Sequence, residues 1–282
     1  MFIHWFPGHM TKAIRMMSEE IKVVDCVIYV LDARAPQSCI NPAFDEVIGS
    51  KPRLYVLNKA DMVSQKEVIK WVDKFRRDGF KCIYSNSISK ADAPVIVKNL
   101  LDLNEDLIER YHQKGVNKTV RAMVIGVPNC GKSTLINSLV KEKKTVTGNK
   151  PGVTRGKQWV AIGDYIELLD SPGVLYPDFK DQEKAMRLAL IGSVKEDVVD
   201  VAELALETIK FYLSMYPDDL INRYKLDSLH DRAPLEVMED IGKKRGVIMR
   251  GGELDYERIA KIIISDFRKG YLGKHPLESV DG

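Results

Sequence analysis

One nine-residue segment limits the fold of this chain more than any other. Residues 126–134 read Gly-Val-Pro-Asn-Cys-Gly-Lys-Ser-Thr, a complete GxxxxGKS pattern. The apolar run Val120 to Ile125 precedes it, and a helical pattern begins near Lys132. Glycines in such a strand–loop–helix let backbone N–H groups converge on phosphate oxygens, and the helix N-terminus adds positive potential. The segment predicts an α/β fold with a phosphate-binding loop and a mostly parallel sheet that has helices on both faces.

The side chains of this loop have separate predicted roles. Lys132 is expected to reach the β- and γ-phosphates and to assist catalysis there, and the Ser133 hydroxyl is expected to ligate Mg²⁺. A glycine turn before a helix is the alternative, but such a turn requires neither lysine nor serine at these positions. Further nucleotide contacts are predicted for neighbouring loop and helix residues, namely Asn129, Cys130, Gly131 and Thr134.

The tetrapeptide Asn58-Lys59-Ala60-Asp61, which follows the apolar run Leu54 to Leu57, indicates which base is bound. The Asp61 carboxylate can accept hydrogen bonds from N1–H and the N2 amine of guanine, whereas adenine offers no such pair of donors. Asn58 is expected to bridge the base and a neighbouring loop, and the Lys59 stem to cover the ring. Alone, the tetrapeptide is a common turn after a strand. Beside a phosphate loop it predicts guanine-nucleotide binding.

A second phosphate-side motif is Asp170-Ser-Pro-Gly173, a DxxG after the apolar run Ile166 to Leu169. Asp170 is expected to hold the Mg²⁺ shell through water, and the Gly173 N–H to contact the γ-phosphate. Thr154 is the candidate for the hydroxyl that closes this shell, and so assists catalysis, only when GTP is bound. The DxxG pattern alone occurs in many turns. Its position directly after a predicted strand is what favours a role at the phosphates.

The motif order is circularly permuted, because the base-recognition elements precede the phosphate loop. The strands that usually follow DxxG lie at the N-terminus, so the chain is expected to leave the nucleotide domain just after Gly173. We therefore predict two domains, a permuted nucleotide domain over 1–177 and a smaller all-α domain over 178–282 with possible RNA binding. The order also predicts that loss of the γ-phosphate is transmitted directly to the segment after Gly173.

Taken together, the motifs resemble the YlqF/RbgA family of circularly permuted ribosome-biogenesis GTPases. The resemblance implies GTP hydrolysis during late assembly of the large ribosomal subunit, with the nucleotide state controlling association. It also implies GTP or GDP and Mg²⁺ as cofactors, and rRNA and ribosomal proteins as partners. Asn129 matches the asparagine that helps to hold K⁺ in cation-activated relatives, and a simple loop residue is the alternative. Asn86-Ser87 replaces the usual Ser-Ala of the second base-recognition loop, where a backbone N–H is expected to contact the base. The resemblance rests on Trp5-Phe-Pro-Gly-His9-Met10, Asp32-Ala-Arg34-Ala-Pro36, Asn58-Lys-Ala-Asp61, the phosphate loop, Pro151-Gly-Val-Thr154 and Asp170-Ser-Pro-Gly173.

The group that orients the attacking water is the open question. Ras-like enzymes use a glutamine after DxxG, but this chain has Val174, which cannot orient water. A side chain from another segment, a monovalent cation or the ribosome could act instead. His9 is the first candidate side chain, since it is polar and belongs to a glycine-containing terminal segment before a helix; a structural or RNA-contacting histidine is the alternative.

Two other functions compete with ribosome assembly. One is an autonomous P-loop enzyme, such as a nucleotide-dependent kinase or a GTPase of RNA modification, and the other is a non-hydrolysing guanine-nucleotide-binding module. No catalytic cysteine, paired carboxylate or metal cluster stands out after residue 178, which favours the assembly factor. Basic residues in the helical domain could contact rRNA phosphates or form solvated faces: Lys243, Lys244, Arg245, Arg268, Lys269 and Lys274.

Composition limits the remaining possibilities. The start of the chain resembles no signal peptide and the chain has no long apolar run, so we expect a cytoplasmic protein, monomeric and away from membranes. The four cysteines form no CxxC pair, which gives no support to a zinc site or a disulfide framework. The net charge of +3 is compatible with an RNA partner but is too small to indicate one.

Overall fold

A computed structural model describes residues 7–140, 159–171, 173–175 and 181–280 of the chain. The side chains of residues 7–11, 90 and 196 lie outside this description. The chain divides into two compact units. The nucleotide unit comprises Phe6–Pro177 together with Pro276–Gly282, and the helical unit comprises Asp178–His275. The sequence interpretation had assigned 276–282 to the helical domain.

The nucleotide unit is built on a six-stranded sheet with the lateral order β3-β2-β1-β4-β6-β5. All neighbouring strands pair in parallel except β5, which is antiparallel to β6. Every residue of β1 is buried, as expected for a central strand of a mostly parallel sheet. The predicted sheet type is therefore confirmed. The strands are β1 (Cys26–Asp32), β2 (Arg53–Asn58), β3 (Lys81–Ser85), β4 (Val120–Ile125), β5 (Trp159–Ile162) and β6 (Ile166–Asp170).

The helices of this unit connect the strands. The third helix, Gln65–Arg77, shows why they form, since it buries Val68, Trp71, Val72 and Phe75 along one stripe with helical spacing. That stripe packs against β2 and β3. The described helices are α1 (Pro7–Glu20), α2 (Pro42–Ile48), α3 (Gln65–Arg77), α4 (Ala93–Leu103), α5 (Glu105–His112) and α6 (Lys132–Leu139).

Stacked aromatic rings support the loop that follows β1. Tyr29 of β1 stacks on Tyr55 of β2, with ring centroids 5.2 Å apart, and Tyr55 stacks on Phe75 at 4.9 Å. The Tyr29 hydroxyl accepts a hydrogen bond from the Asn41 backbone N–H at 2.7 Å. Asn41 in turn caps α2 by accepting from the Ala43 N–H at 3.1 Å. The aromatic core therefore holds the end of the β1–α2 loop against the sheet.

Several predicted elements were wrong. The β-branched run from Val23 to Leu31 predicts a strand that starts at Val23, but β1 begins at Cys26. Ile21–Val23 instead continue the preceding helix as a 3₁₀ turn. The helix predicted from Pro94 to Tyr111 is two helices, α4 and α5. Between them Asn104 leaves helical geometry and its amide donates to the Leu100 carbonyl at 2.8 Å, so the side chain takes up a helix-end acceptor. The sequence analysis missed α2 and β5 altogether.

Apolar residues at helical spacing predict five helices between residues 183 and 269, and the helical unit contains all five. Its core comes from α8, α10 and α11, with Leu204, Ile209, Ile241 and Ile263 fully or almost fully buried. Among the residues that the structure describes, no helix is long and apolar enough to cross a membrane. The helices are α7 (Gln182–Leu190), α8 (Val201–Met215), α9 (Pro217–Tyr224), α10 (Pro234–Arg245) and α11 (Tyr256–Arg268).

Arg268 has a structural partner that the sequence analysis did not foresee. Its Nε donates to the Leu190 carbonyl at 3.1 Å, and its Nη2 donates to the Ala189 carbonyl at 3.0 Å. These carbonyls belong to the last turn of α7, where a helix lacks internal donors and favours a cation. Arg268 therefore caps α7, whereas its neighbour Lys269 is exposed.

We expect Arg268→Met to lower the free energy of unfolding by about 1–3 kcal/mol, because it leaves two helix-end carbonyls without a charged donor. Urea denaturation of the full chain measures this. Lys269→Met removes the same charge from an exposed neighbour and should change stability by less than about 0.5 kcal/mol. Equal losses in the two variants would contradict the capping role.

Candidate nucleotide-binding site

The carboxyl ends of the parallel strands gather the predicted motifs at one edge of the sheet. Asp32, Asn58 and Ser85 end β1, β2 and β3 in matching register, and Asp170 ends β6. The chain runs from β1 to β2 and β3 on one side, and β4 then pairs with the other side of β1. In open parallel sheets, ligands bind where the strand order reverses in this way, outside the carboxyl ends. The loop from Gly126 to Gly131 lies at this switch point.

Two positions of the loop require glycine, both for their backbone conformation and for lack of space. Gly126 and Gly131 have φ angles of +151° and +100°, which side-chain-bearing residues rarely adopt. A Cβ at Gly131 would lie 2.1 Å from Asn58 Nδ2, and one at Gly126 would lie 2.4 Å from the Val30 carbonyl oxygen. The loop therefore closes against β1 and against the base-recognition tetrapeptide only with glycine at both positions.

Lys132 lies within the phosphate loop. Its Nζ donates to the carbonyls of Gly126 at 3.1 Å and Val127 at 3.0 Å, and the residue is buried. A Cβ at Gly173 would lie 2.7 Å from this Nζ and 2.8 Å from Pro128 Cα. The DxxG glycine thus lies directly against the loop, beside the ammonium group that is predicted to meet the β- and γ-phosphates.

Two of the three residues predicted for the Mg²⁺ shell, Ser133 and Asp170, lie together. Ser133 Oγ donates to Asp170 Oδ2 at 3.2 Å, and both side chains are exposed. Adjacent ligands of an octahedral Mg²⁺ with bonds of 2.0–2.1 Å are about 2.9 Å apart. The hydroxyl and the carboxylate are close enough to serve one Mg²⁺ site. The direct role of Ser133 and the water-mediated role of Asp170 stay predictions. Thr134 is exposed next to Ser133, and Thr154 lies outside the described residues.

Asn58 joins the base side of the site to the phosphate side. Its Nδ2 donates to the Cys130 carbonyl at 2.8 Å. Its Oδ1 accepts from the Ser87 backbone N–H at 3.1 Å and from the Ser87 hydroxyl at 2.6 Å. The side chain is only 2% exposed. One amide therefore holds two loops, whereas the sequence analysis expected one loop and the base; the contact with a base stays a prediction.

The remaining base-recognition residues lie beside this amide. Lys59 has a φ of +58°, which turns the chain into the 3₁₀ turn Ala60–Met62 and leaves Asp61 exposed. The Asn86 N–H donates to Asp92 Oδ2 at 2.8 Å, and the Asn86 side-chain oxygen accepts from the Ile88 N–H at 3.1 Å. The Asn86 side chain thus serves the turn itself, which agrees with a base contact through the loop backbone.

Asp32 is a site residue to which the sequence analysis assigned no role. Lys59 Nζ lies 2.9 Å from Asp32 Oδ2 and donates to the Asn129 carbonyl at 2.7 Å. The Arg34 guanidinium donates to both Asp32 oxygens, at 2.9 and 2.8 Å. Burial raises the pKa of the Asp32 carboxyl, but Arg34 and Lys59 outweigh it and hold the pKa at about 2. The strand register, which sets Asp32 beside Asn58, is the signal that could have identified it.

The structure also bears on the attacking water. Val174 is 3% exposed and Leu175 is 6% exposed, so the chain after Gly173 enters the core. An apolar, buried side chain cannot orient water. His9 lies within α1 and not in a loop before the helix, and its side chain is outside the described residues. Asn129 is exposed with a φ of +58°.

Sequence comparison identifies the relatives of this site. The chain is 39% identical over 280 residues to the ribosome biogenesis GTPase A of Bacillus cereus, with 99% of this chain and 94% of the relative covered. The chain belongs to the ribosome biogenesis GTPase A family. The mitochondrial ribosome-associated GTPase 1 of Bos taurus is 34% identical over 291 residues, covering 95% and 86% of the two chains.

Solved structures and a family model agree with membership in the ribosome biogenesis GTPase A family. The crystal structure of GNP-bound YlqF from T. maritima matches with a TM-score of 0.65 and 25% identity, covering 95% of this chain and 98% of that one. Residues 121–228 match the model described as 50S ribosome-binding GTPase. The predicted family and the permuted P-loop fold are confirmed.

We expect Gly131→Ala to abolish measurable GDP binding, because its Cβ would collide with the Asn58 amide in a backbone conformation that alanine resists. Fluorescence titration with a labelled GDP measures this. Gly163→Ala is the matched control, since Gly163 also has a positive φ, +58°, but has open space around a new Cβ. Retained binding in Gly131→Ala would contradict the steric argument.

Proposed function

We propose that the chain is a GTP-hydrolysing assembly factor for the large ribosomal subunit. The observation that carries this proposal is the Asn58 amide, which joins the guanine-side tetrapeptide, the phosphate loop and the Ser87 loop at one edge of the sheet. Family membership supplies the ribosomal part of the proposal. The partners would be rRNA and ribosomal proteins of the precursor particle, and the chain would act in the cytoplasm.

The choice of guanine rests on Asp61. Its carboxylate is exposed just after the Lys59 turn, beside the loop in which backbone N–H groups could meet O6. A base that offers no pair of donors would leave this carboxylate desolvated and unpaired, which lowers the binding free energy of that base. The site is therefore expected to reject adenine nucleotides.

Two metal ions belong to the proposal. Ser133 and Thr154 would ligate Mg²⁺, and Asp170 would hold its shell through water; the ion neutralises charge on the phosphates when it is bound. Asn129 would contribute to a K⁺ site next to the phosphate loop. Lys132 binds phosphate oxygens from within the loop, and Gly173 brings its N–H beside Lys132. These residues position the phosphate chain and stabilise its developing charge.

The nucleotide state would control association through the segment after Gly173. This glycine lies against Pro128 and Lys132, and the chain leaves the nucleotide unit soon after it. A γ-phosphate contact at the Gly173 N–H would order the segment, and loss of phosphate would release it. The binding state for the precursor particle is then the GTP state.

The competing functions have less support. An autonomous enzyme would need further chemistry in the helical unit. Over the described residues 181–275, no group of three or more His, Cys, Asp or Glu side chains is arranged to hold a metal. A non-hydrolysing binding module would account for Val174, but a residue from another segment can also supply the missing group.

We expect the protein to co-sediment with large-subunit precursors in the presence of a non-hydrolysable GTP analogue and to remain in the supernatant with GDP. Ultracentrifugation through a sucrose cushion measures this. Lys132→Ala, which loses its phosphate contact, should remain in the supernatant with either nucleotide. Equal sedimentation of the wild type with both nucleotides would contradict control by the nucleotide state.

We expect His9→Ala to lower GTP turnover by roughly 100-fold or more, as for the loss of a group that handles the reacting water, without weakening GDP binding. Phosphate release is measured in K⁺ and in Na⁺ buffers, with and without ribosomal subunits. His112→Ala, at the exposed end of α5, serves as the control. Unchanged turnover would remove His9 from the mechanism and leave the cation or the ribosome.

A further inference from the structure

The C-terminal segment forms buried contacts within the nucleotide unit. The Leu277 N–H donates to the Arg34 carbonyl at 2.7 Å. Glu278 accepts from the Gln37 N–H at 2.7 Å and from the Ser38 N–H at 2.9 Å, through different carboxylate oxygens. The Ser38 hydroxyl also donates to this carboxylate. Glu278 is only 6% exposed, which is unusual for a charged residue and requires that its acceptors be filled.

The loop bound by Glu278 also carries the anchor of the base-binding lysine. Asp32 ends β1 at the start of this loop and receives three hydrogen bonds from Arg34, two from the guanidinium and one from the backbone N–H at 3.1 Å. Asp32 Oδ2, which also accepts from Arg34 Nη2, lies 2.9 Å from Lys59 Nζ. A continuous series of polar contacts therefore runs from Glu278 through the loop to Lys59.

Lysine needs such an anchor because its stem is long and loses much rotamer freedom when it is held in one place. A buried carboxylate that cannot move fixes the ammonium, so the stem is held ready to cover a base. Asp32 can do this only if Arg34 and the loop stay in place. Three donors on Glu278 and the Leu277 N–H bond hold that loop.

We propose that Glu278 is a positioning residue for Lys59 in guanine-nucleotide binding, acting through residues 34–38 and Asp32. This inference rests on the proposed nucleotide-binding function of the site. It gives the C-terminal segment a part in base recognition.

A double-mutant cycle on GDP binding tests the proposal. The dissociation constants of GDP are measured for the wild type, Glu278→Gln, Lys59→Met and the double variant. Glu278→Gln replaces one carboxylate oxygen with an amide N–H₂ donor that faces backbone N–H groups. We therefore expect the dissociation constant of GDP to rise by about 5-fold or more, which is the lower end of the affinity changes between coupled sites. In the Lys59→Met background the same change should have no further effect, because Glu278 acts through the ammonium that is already absent.

The controls separate positioning from a general structural role. Glu253→Gln makes the same chemical change at an exposed glutamate and should leave GDP binding unchanged. Additive effects in the cycle, or wild-type affinity in Glu278→Gln, would overturn the proposal. If Glu278→Gln does not fold, Ser38→Ala, which removes one hydroxyl, replaces it in the cycle with the same criterion. Failure of the wild type to bind GDP would contradict the proposed function, whereas an additive cycle in a GDP-binding wild type would contradict only the positioning role.

Discussion

The site depends on the hydrogen bonds of one buried amide. Asn58 offers a donor to the phosphate loop and an acceptor to the Ser87 loop. The side chains of the same shape do not provide both, since ionised Asp has no donor and Leu has neither group. The donor bond joins residues 72 positions apart in the chain. Because the amide is buried, leaving either group unpaired would cost about 1–3 kcal/mol. The same bonds that stabilise the folded chain therefore bring the base side and the phosphate side together before any ligand arrives.

The parts of the site that the sequence predicted are those whose chemistry is local. A GxxxxGKS loop, a tetrapeptide after a strand and a DxxG after another strand each lie at a strand end, and parallel pairing brings strand ends to one edge. Secondary structure was predictable where an apolar stripe was long, as in α3, and was missed where an element was short, as in α2 and β5.

The parts that the sequence did not predict depend on distant partners. Glu278 and Ser38 are 240 positions apart, and no spacing rule connects them. Arg268 resembled one more solvated cation, since a sequence does not reveal which helix end a charged side chain will reach. The sequence around Asn104 is compatible with one continuous helix, but in the structure the Asn104 amide donates to the Leu100 carbonyl where the helix is interrupted. Each case is a polar side chain whose partner is chosen by tertiary structure and not by periodicity.

The segment 178–275 is joined to the nucleotide unit at both of its ends, at 177/178 and at 275/276. Its first connection follows the DxxG glycine, and its second leads within a few residues to Glu278. A module attached at one end can be exchanged or deleted as a cassette. Here an exchange must also return the chain to residues 276–280, whose Glu278 binds the Ser38 loop, so a replacement module has to match the nucleotide unit at both junctions.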